Sequence, residues 1–153
     1  MNKILLTLDE AAQLAAIDRE ACRGLLDQNT ILVAQLSILK PLLGDFYRQI
    51  LDGRYPRFVE GYLKLPLALW VKSIVLQNSV VVPGALGAVR QSSPNLEAAD
   101  DPQIAMAIGA LRSQARVLME DALEHLDRNR ELYPGYTPIP RRRLRRILGG
   151  VIL

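Results

Sequence analysis

Cysteine and histidine are almost missing from this chain of 153 residues, which has only Cys22 and His125. A lone thiol excludes an internal disulfide, and the pair is too few for a zinc or iron–sulfur cysteine cluster or a multi-histidine metal centre. That cysteine usage fits a reducing cytosol, and no cofactor is expected. Aromatic residues are scarce, at 5%. No uninterrupted apolar stretch approaches the roughly 18 to 20 residues that a membrane span needs. The start, Met1 to Leu6, lacks the long apolar middle of a signal peptide. The expectation is therefore a chain that neither spans a membrane nor is secreted. The Walker pattern and the dinucleotide-binding glycine fingerprint are also missing.

What is present describes a folding domain. Half of the residues are apolar and 23% are charged, which is too apolar for a disordered chain. The length suits a single domain, so a two-lobed enzyme with a cleft between lobes is not expected. The net charge is +3, yet Arg141, Arg142, Arg143, Arg145 and Arg146 supply five of the 19 cations. Without them, residues 1–140 carry about −2. The basicity belongs to the last segment, and the body advertises no basic face for gripping DNA.

Along the chain, Thr7 and Glu10 have capping-box spacing, so a helix should begin near Leu8. Leu14, Ile17, Ala21 and Leu25 recur at helical spacing and predict a continuing buried face. Asn29 and Thr30 offer a second cap, and the nearly unbroken apolar run Ile31 to Leu39 predicts a core helix covered on most sides. Lys40-Pro41 should interrupt it, with a restart at Gly44-Asp45 and a short helix through Ile50 and Leu51. Pro66 suits the first turn of a helix from about Leu67 to Gln77, with Trp70 as a core anchor. Val80, Val81, Val82 and Val89 flank a turn-rich centre containing Leu86, which predicts a projecting β-hairpin over about 80–91. A hairpin is marginal alone, so these five residues are the expected subunit interface of an oligomer. Asp101-Pro102 starts a helix carrying the stripe Ile104, Ile108, Leu111, Ala115, Leu118, Ala122 and Leu126, ending near Arg130. Tyr133 to Pro140 should leave the body as an extended arm. The fold class is mainly α: a four- to five-helix bundle with a projecting β-hairpin and an extended C-terminal arm. The domain division is a body over 1–137 and a basic, aliphatic arm over 138–153.

Reactive groups do not form a set. Asp121 lies one turn before His125, and a solvated helix face explains the pair better than a metal site without a third ligand. Cys22 reads as an unreactive thiol. Gly84 and Gly87 make a G-x-x-G, but Ala85 and Leu86 between them suit a hairpin turn rather than a nucleotide clamp. The arginine cluster is the strongest chemical feature. A purely solvating tail has no need of the Ile147, Leu148, Val151, Ile152 and Leu153 that follow it. Arg141, Arg142, Arg143, Arg145, Arg146, Ile147, Leu148 and Ile152 are thus the expected partner-docking residues, using charge pairing and apolar packing together.

Short motifs add a resemblance. Leu6-Thr7-Leu8-Asp9-Glu10 is similar to a "T-x-E-E" helix start, and Ala15-Ala16-Ile17-Asp18 continues it. Ala34-Gln35 and Ile38 to Tyr47 are similar to a "y-I-x-P-x-L-G-x-x-l-y" segment, Leu65 to Trp70 to "k-P-A-L-A-y", and Val80 to Ser93 to "v-x-x-G-v-v-x-k-s-s". In this order, over about residues 4–137, the chain resembles the head-to-tail connector, or neck adaptor, proteins of tailed bacteriophages of the Bacteroidetes type. The hairpin departs from that pattern at Pro83 to Leu86, and the segment Arg141 to Leu153 matches no family motif. The resemblance implies a structural virion protein with no catalytic residues, assembled in the bacterial host cytoplasm and residing in the virion neck. It implies a ring, commonly of twelve copies, beneath the portal protein, through which DNA passes and to which tail or other neck proteins dock. Two other classes remain open: a nucleic-acid-binding accessory protein using the arginines, and a small helical enzyme.

Overall fold

A computed structural model describes residues 3–79, 82–84, 87–89 and 101–138. Five helices account for most of them: α1 (Leu8–Ala15), α2 (28–43), α3 (Asp45–Leu51), α4 (56–79) and α5 (Asp101–Arg128). The mainly α class is observed. The long pair α4 and α5 lie against each other, with α1 and α2 packed on α4. Their shared core holds Leu6, Ile31, Leu39, Phe46, Leu67, Val71, Met119 and Leu126, all essentially without solvent contact.

Helix α1 starts where the capping box predicts, with the Thr7 hydroxyl accepting from the Glu10 N–H. Glu10 does not complete the box, because its carboxylate accepts from Lys64 Nζ at 2.6 Å and ties α1 to α4 instead. The helix is also shorter than its apolar spacing suggests. Ala16 adopts a left-handed conformation (φ 53°), and Ala16 and Ile17 both donate to the Ala12 carbonyl, a Schellman-type stop. Ile17 is buried, whereas Leu14 is 42% exposed. Residues 16–27 then form turns, organised in part by Asp18, whose carboxylate accepts from the Glu20 and Ala21 N–H groups. The cap of α2 is Asp27, which accepts from the Thr30 N–H, rather than Asn29 or Thr30.

Two prolines expected to break or begin helices are accommodated by a common device. In α2 a π-turn spans Gln35–Leu39, and the Lys40 N–H reaches back five residues to the Gln35 carbonyl. Pro41 follows directly, so α2 passes through it and ends at Leu43. In α4 a π-turn spans Val59–Leu63, the Lys64 N–H donates to the Val59 carbonyl, and Pro66 follows. Proline lacks an N–H and crowds the turn before it, and a widened turn relieves both problems. The break between α2 and α3 falls at Gly44, whose φ of 57° and ψ of −129° lie in a region that only glycine enters at little cost.

The covering of α2 is one-sided. Ile31, Ala34, Gln35, Ile38 and Leu39 are buried, but Val33 and Leu36 are 51% and 44% exposed, so the apolar run is not sheathed on most sides. The stripe on α5 is also partly corrected. Ala115, Ala122 and Leu126 are buried as expected, with Met119 and Leu123 completing the face, while Ile104, Ile108, Leu111 and Leu118 are half-buried.

Residues Tyr133 to Tyr136 do not leave the body. Tyr136 is buried and packs on Phe46 with ring centroids 5.8 Å apart, while Tyr133 lies 5.2 Å from Tyr55 and 5.4 Å from Phe58. Six of the eight aromatic residues (Phe46, Tyr55, Phe58, Tyr62, Tyr133 and Tyr136) gather in this cluster. Apolar rings outweigh the extended tendency of the prolines among them. The projecting hairpin over 80–91 is not established. Only Val82–Gly84 and Gly87–Val89 fall among the described residues, as a short antiparallel pair with Val82 opposite Val89.

Candidate functional site

The described surface with the most chemical character is the seam between α4 and α5. On one flank, Trp70 is half-buried rather than a core anchor. The guanidinium groups of Arg112 and Arg116 lie 5.1 and 5.9 Å from the centre of its indole, within range for cation–π attraction. Ser73 is fully buried, donates to the Trp70 carbonyl at 2.6 Å and accepts from Arg112 Nε at 3.1 Å. Arg112 also donates to Gln77 Oε1 at 3.0 Å. Burial and the charge of Arg116 hold Arg112 below the usual arginine range. Arg116 Nε is buried without a hydrogen-bond partner, and among the described residues no carboxylate pairs with either arginine. Two adjacent cations are thus held against one ring by packing and neutral acceptors.

On the other flank, Leu65 and Leu69 of α4 and Ser113, Gln114, Val117 and Leu118 of α5 line an open, mostly apolar groove of about 530 Å³. Leu65 is 41% and Val117 65% exposed. Beyond the groove, α5 turns acidic: Glu120, Asp121, Glu124 and Asp127 are all exposed. Arg128 pairs with Glu124 at 3.5 Å.

His125 does not sit on a solvated face. Its ring stacks on Tyr62 at 4.3 Å and its Nε2 lies 3.0 Å from the Tyr133 hydroxyl, which makes it part of the aromatic cluster. Burial, with Asp127 beside it, pushes the Tyr136 hydroxyl up to about 12. The Cys22 thiol is pushed up by burial and then by Asp18, which together outweigh the opposing charge of Lys72, so the balance there disfavours the reactive thiolate. Among the described residues, no group of three or more His, Cys, Asp or Glu side chains is placed to hold a metal, and no helix is long and apolar enough to cross a membrane.

Of the residues singled out from sequence, Arg141, Arg142, Arg143, Arg145, Arg146, Ile147, Leu148 and Ile152 lie outside the described residues, as do Val80, Val81 and Leu86. Only the backbone of Val82 and Val89 is described, and it pairs them across the two short strands. Sequence reading missed the Trp70–Arg112–Arg116 cluster because its members stand about forty residues apart and meet only when α5 packs on α4. The groove carried no clear signal in sequence, because adjacent apolar residues such as Val117 and Leu118 can share one buried stripe, as Ala122 and Leu123 do farther along α5.

Among known families, one of unknown function, DUF6712, matches residues 39–146. No curated protein and no solved structure matches the chain. The match covers more than half of the sequence, from the end of the α2 π-turn through the arginine cluster, and the chain belongs to that family.

Proposed function

We propose that this DUF6712 member is a structural assembly subunit, a head-to-tail connector of a tailed bacteriophage that forms a ring beneath the portal and receives the tail. The observation that carries the reading is the α4–α5 seam: a helical body whose exposed feature is an apolar groove flanked by Leu65 and Val117. Apolar surface left on two long helices suits contact between proteins. The ordered motif resemblance over about residues 4–137 supplies the kind of assembly. In this reading the hairpin region around Val80 to Val89 closes the ring, and Arg141 to Ile152 reach the portal or an adjacent neck protein. The virion neck is then its location, and DNA passes through the ring without being read.

The test is to purify the full chain, measure its mass by light scattering, image it by negative-stain microscopy, and mix it with the portal protein of the same genome. Closed rings, alone or templated on the portal, are the expected result. A chain that stays monomeric, ignores the portal and binds duplex DNA in a salt-sensitive way would replace this reading with that of a nucleic-acid-binding accessory protein.

A further inference from the structure

The outer side of α5 has a sequence of surfaces, and so does the segment that follows the body. From its C-terminal end toward its middle, α5 presents Asp127, Glu124, Asp121 and Glu120, all exposed, and then the groove at Val117, Leu118, Leu65 and Leu69. The chain after Tyr136 presents first Arg141, Arg142, Arg143, Arg145 and Arg146 and then Ile147, Leu148, Val151, Ile152 and Leu153. Tyr136 is anchored beside Asp127, so the segment departs from the acidic end of the helix. Running back along α5, basic residues meet acidic ones and aliphatic residues meet the groove, in the same order.

We infer that residues 141–153 dock along α5 of their own chain, with the arginines over Glu120, Asp121, Glu124 and Asp127 and the aliphatic residues in the groove. The reach is sufficient. Between Asp127 and Val117 a helix rises about 15 Å, and residues 139–146 extended at ~3.3 Å each cover about 26 Å. Arginine–carboxylate pairing along the way fixes the direction. The aliphatic end covers side chains that are otherwise left in water. This docking shares its segment and its groove with the connector reading, and describes the subunit before it engages a partner. One segment cannot serve an assembly partner and the groove together, so engagement of residues 141–153 elsewhere uncovers Leu65 and Val117.

The test uses the full chain carrying Val117→Cys, with maleimide labelling at that site followed by peptide mass mapping. Native Cys22 in the same molecule serves as the internal reference. Labelling is compared with two further full-length proteins, one in which the five arginines are also changed to Glu and one in which Ile147, Leu148 and Ile152 are changed to Ser. With the segment docked in about nine molecules of ten, labelling of the parent is about tenfold slower than in either variant. The protection is unchanged on dilution and lessened by high salt. Equal labelling rates in all three proteins overturn the proposal. Protection that disappears on dilution also overturns it, and assigns the groove to a second copy of the chain.

Discussion

Gln35 offers the sharpest test of how this fold is held. Its side chain is completely buried in the π-turn of α2 and serves three partners. It accepts from the Leu5 N–H at 2.6 Å and donates to the Lys3 carbonyl at 3.1 Å and to the Tyr47 hydroxyl at 3.0 Å. Gln35→Leu keeps much of the volume and removes all three bonds. Each net hydrogen bond contributes about 1 kcal/mol, and a buried polar group left unpaired costs about 1–3 kcal/mol. Lys3 is exposed and regains water, whereas the Tyr47 side chain, 6% exposed, does not. The expected loss is therefore about 3 kcal/mol, or roughly 6–12 °C in Tm for a chain of this size. Urea unfolding followed by far-ultraviolet circular dichroism measures it, with Tyr47→Phe and the double variant completing a cycle. Tyr47→Phe removes the stranded hydroxyl, so the double variant should lose about 1 kcal/mol less than the two single losses added together. A Gln35→Leu protein within about 0.5 kcal/mol of the parent refutes the argument that Gln35 holds the N-terminal segment to α2, and strict additivity in the cycle refutes its bond to Tyr47.

Further outcomes follow from other sites. Ala16→Gly relieves a left-handed alanine at an exposed position and should stabilise the fold by about 0.5–1 kcal/mol, read by the same urea titration. The folded Tyr136 hydroxyl titrates near 12 against an ordinary value of 10, so its contribution is complete below pH 10 and is lost as the pH rises toward 12. Tyr136→Phe should flatten that alkaline decline in a pH series of thermal melts. Lys64 is held between Glu10 and Glu60, each at 2.6 Å, and the two carboxylates raise its pKa although burial opposes them. Lys64→Met should cost about 1 kcal/mol, and the cost should shrink in high salt as screening weakens the parent's ion pairs. On the connector reading, Val81→Asp with Val89→Asp should abolish rings seen by microscopy while leaving helical content unchanged. A fall in helical content instead means that those valines belong to the subunit's own core.

Local chemistry made much of this molecule legible in one dimension. The Thr7 cap, the restart at Gly44-Asp45, the start of α5 at Asp101-Pro102 and its buried Ala115, Ala122 and Leu126 all follow from short-range rules that a sequence states directly. The separation of a slightly acidic body from a basic, aliphatic segment is likewise a property of sequence alone. Tertiary packing decided the rest. Pro41 looks like a helix breaker and Pro66 like a helix start until each is seen beyond a π-turn, where a neighbouring N–H reaches one residue farther back. His125 looks like a solvated residue until Tyr62 and Tyr133 close on it from α4 and from the turn after α5. Tyr133 and Tyr136, set among prolines, look like the start of a free arm, yet the core offers ring faces whose burial outweighs the extended preference. The Trp70 cluster and the groove exist only because α5 lies across α4, and residues forty positions apart carry no mark in sequence of the partner they will meet.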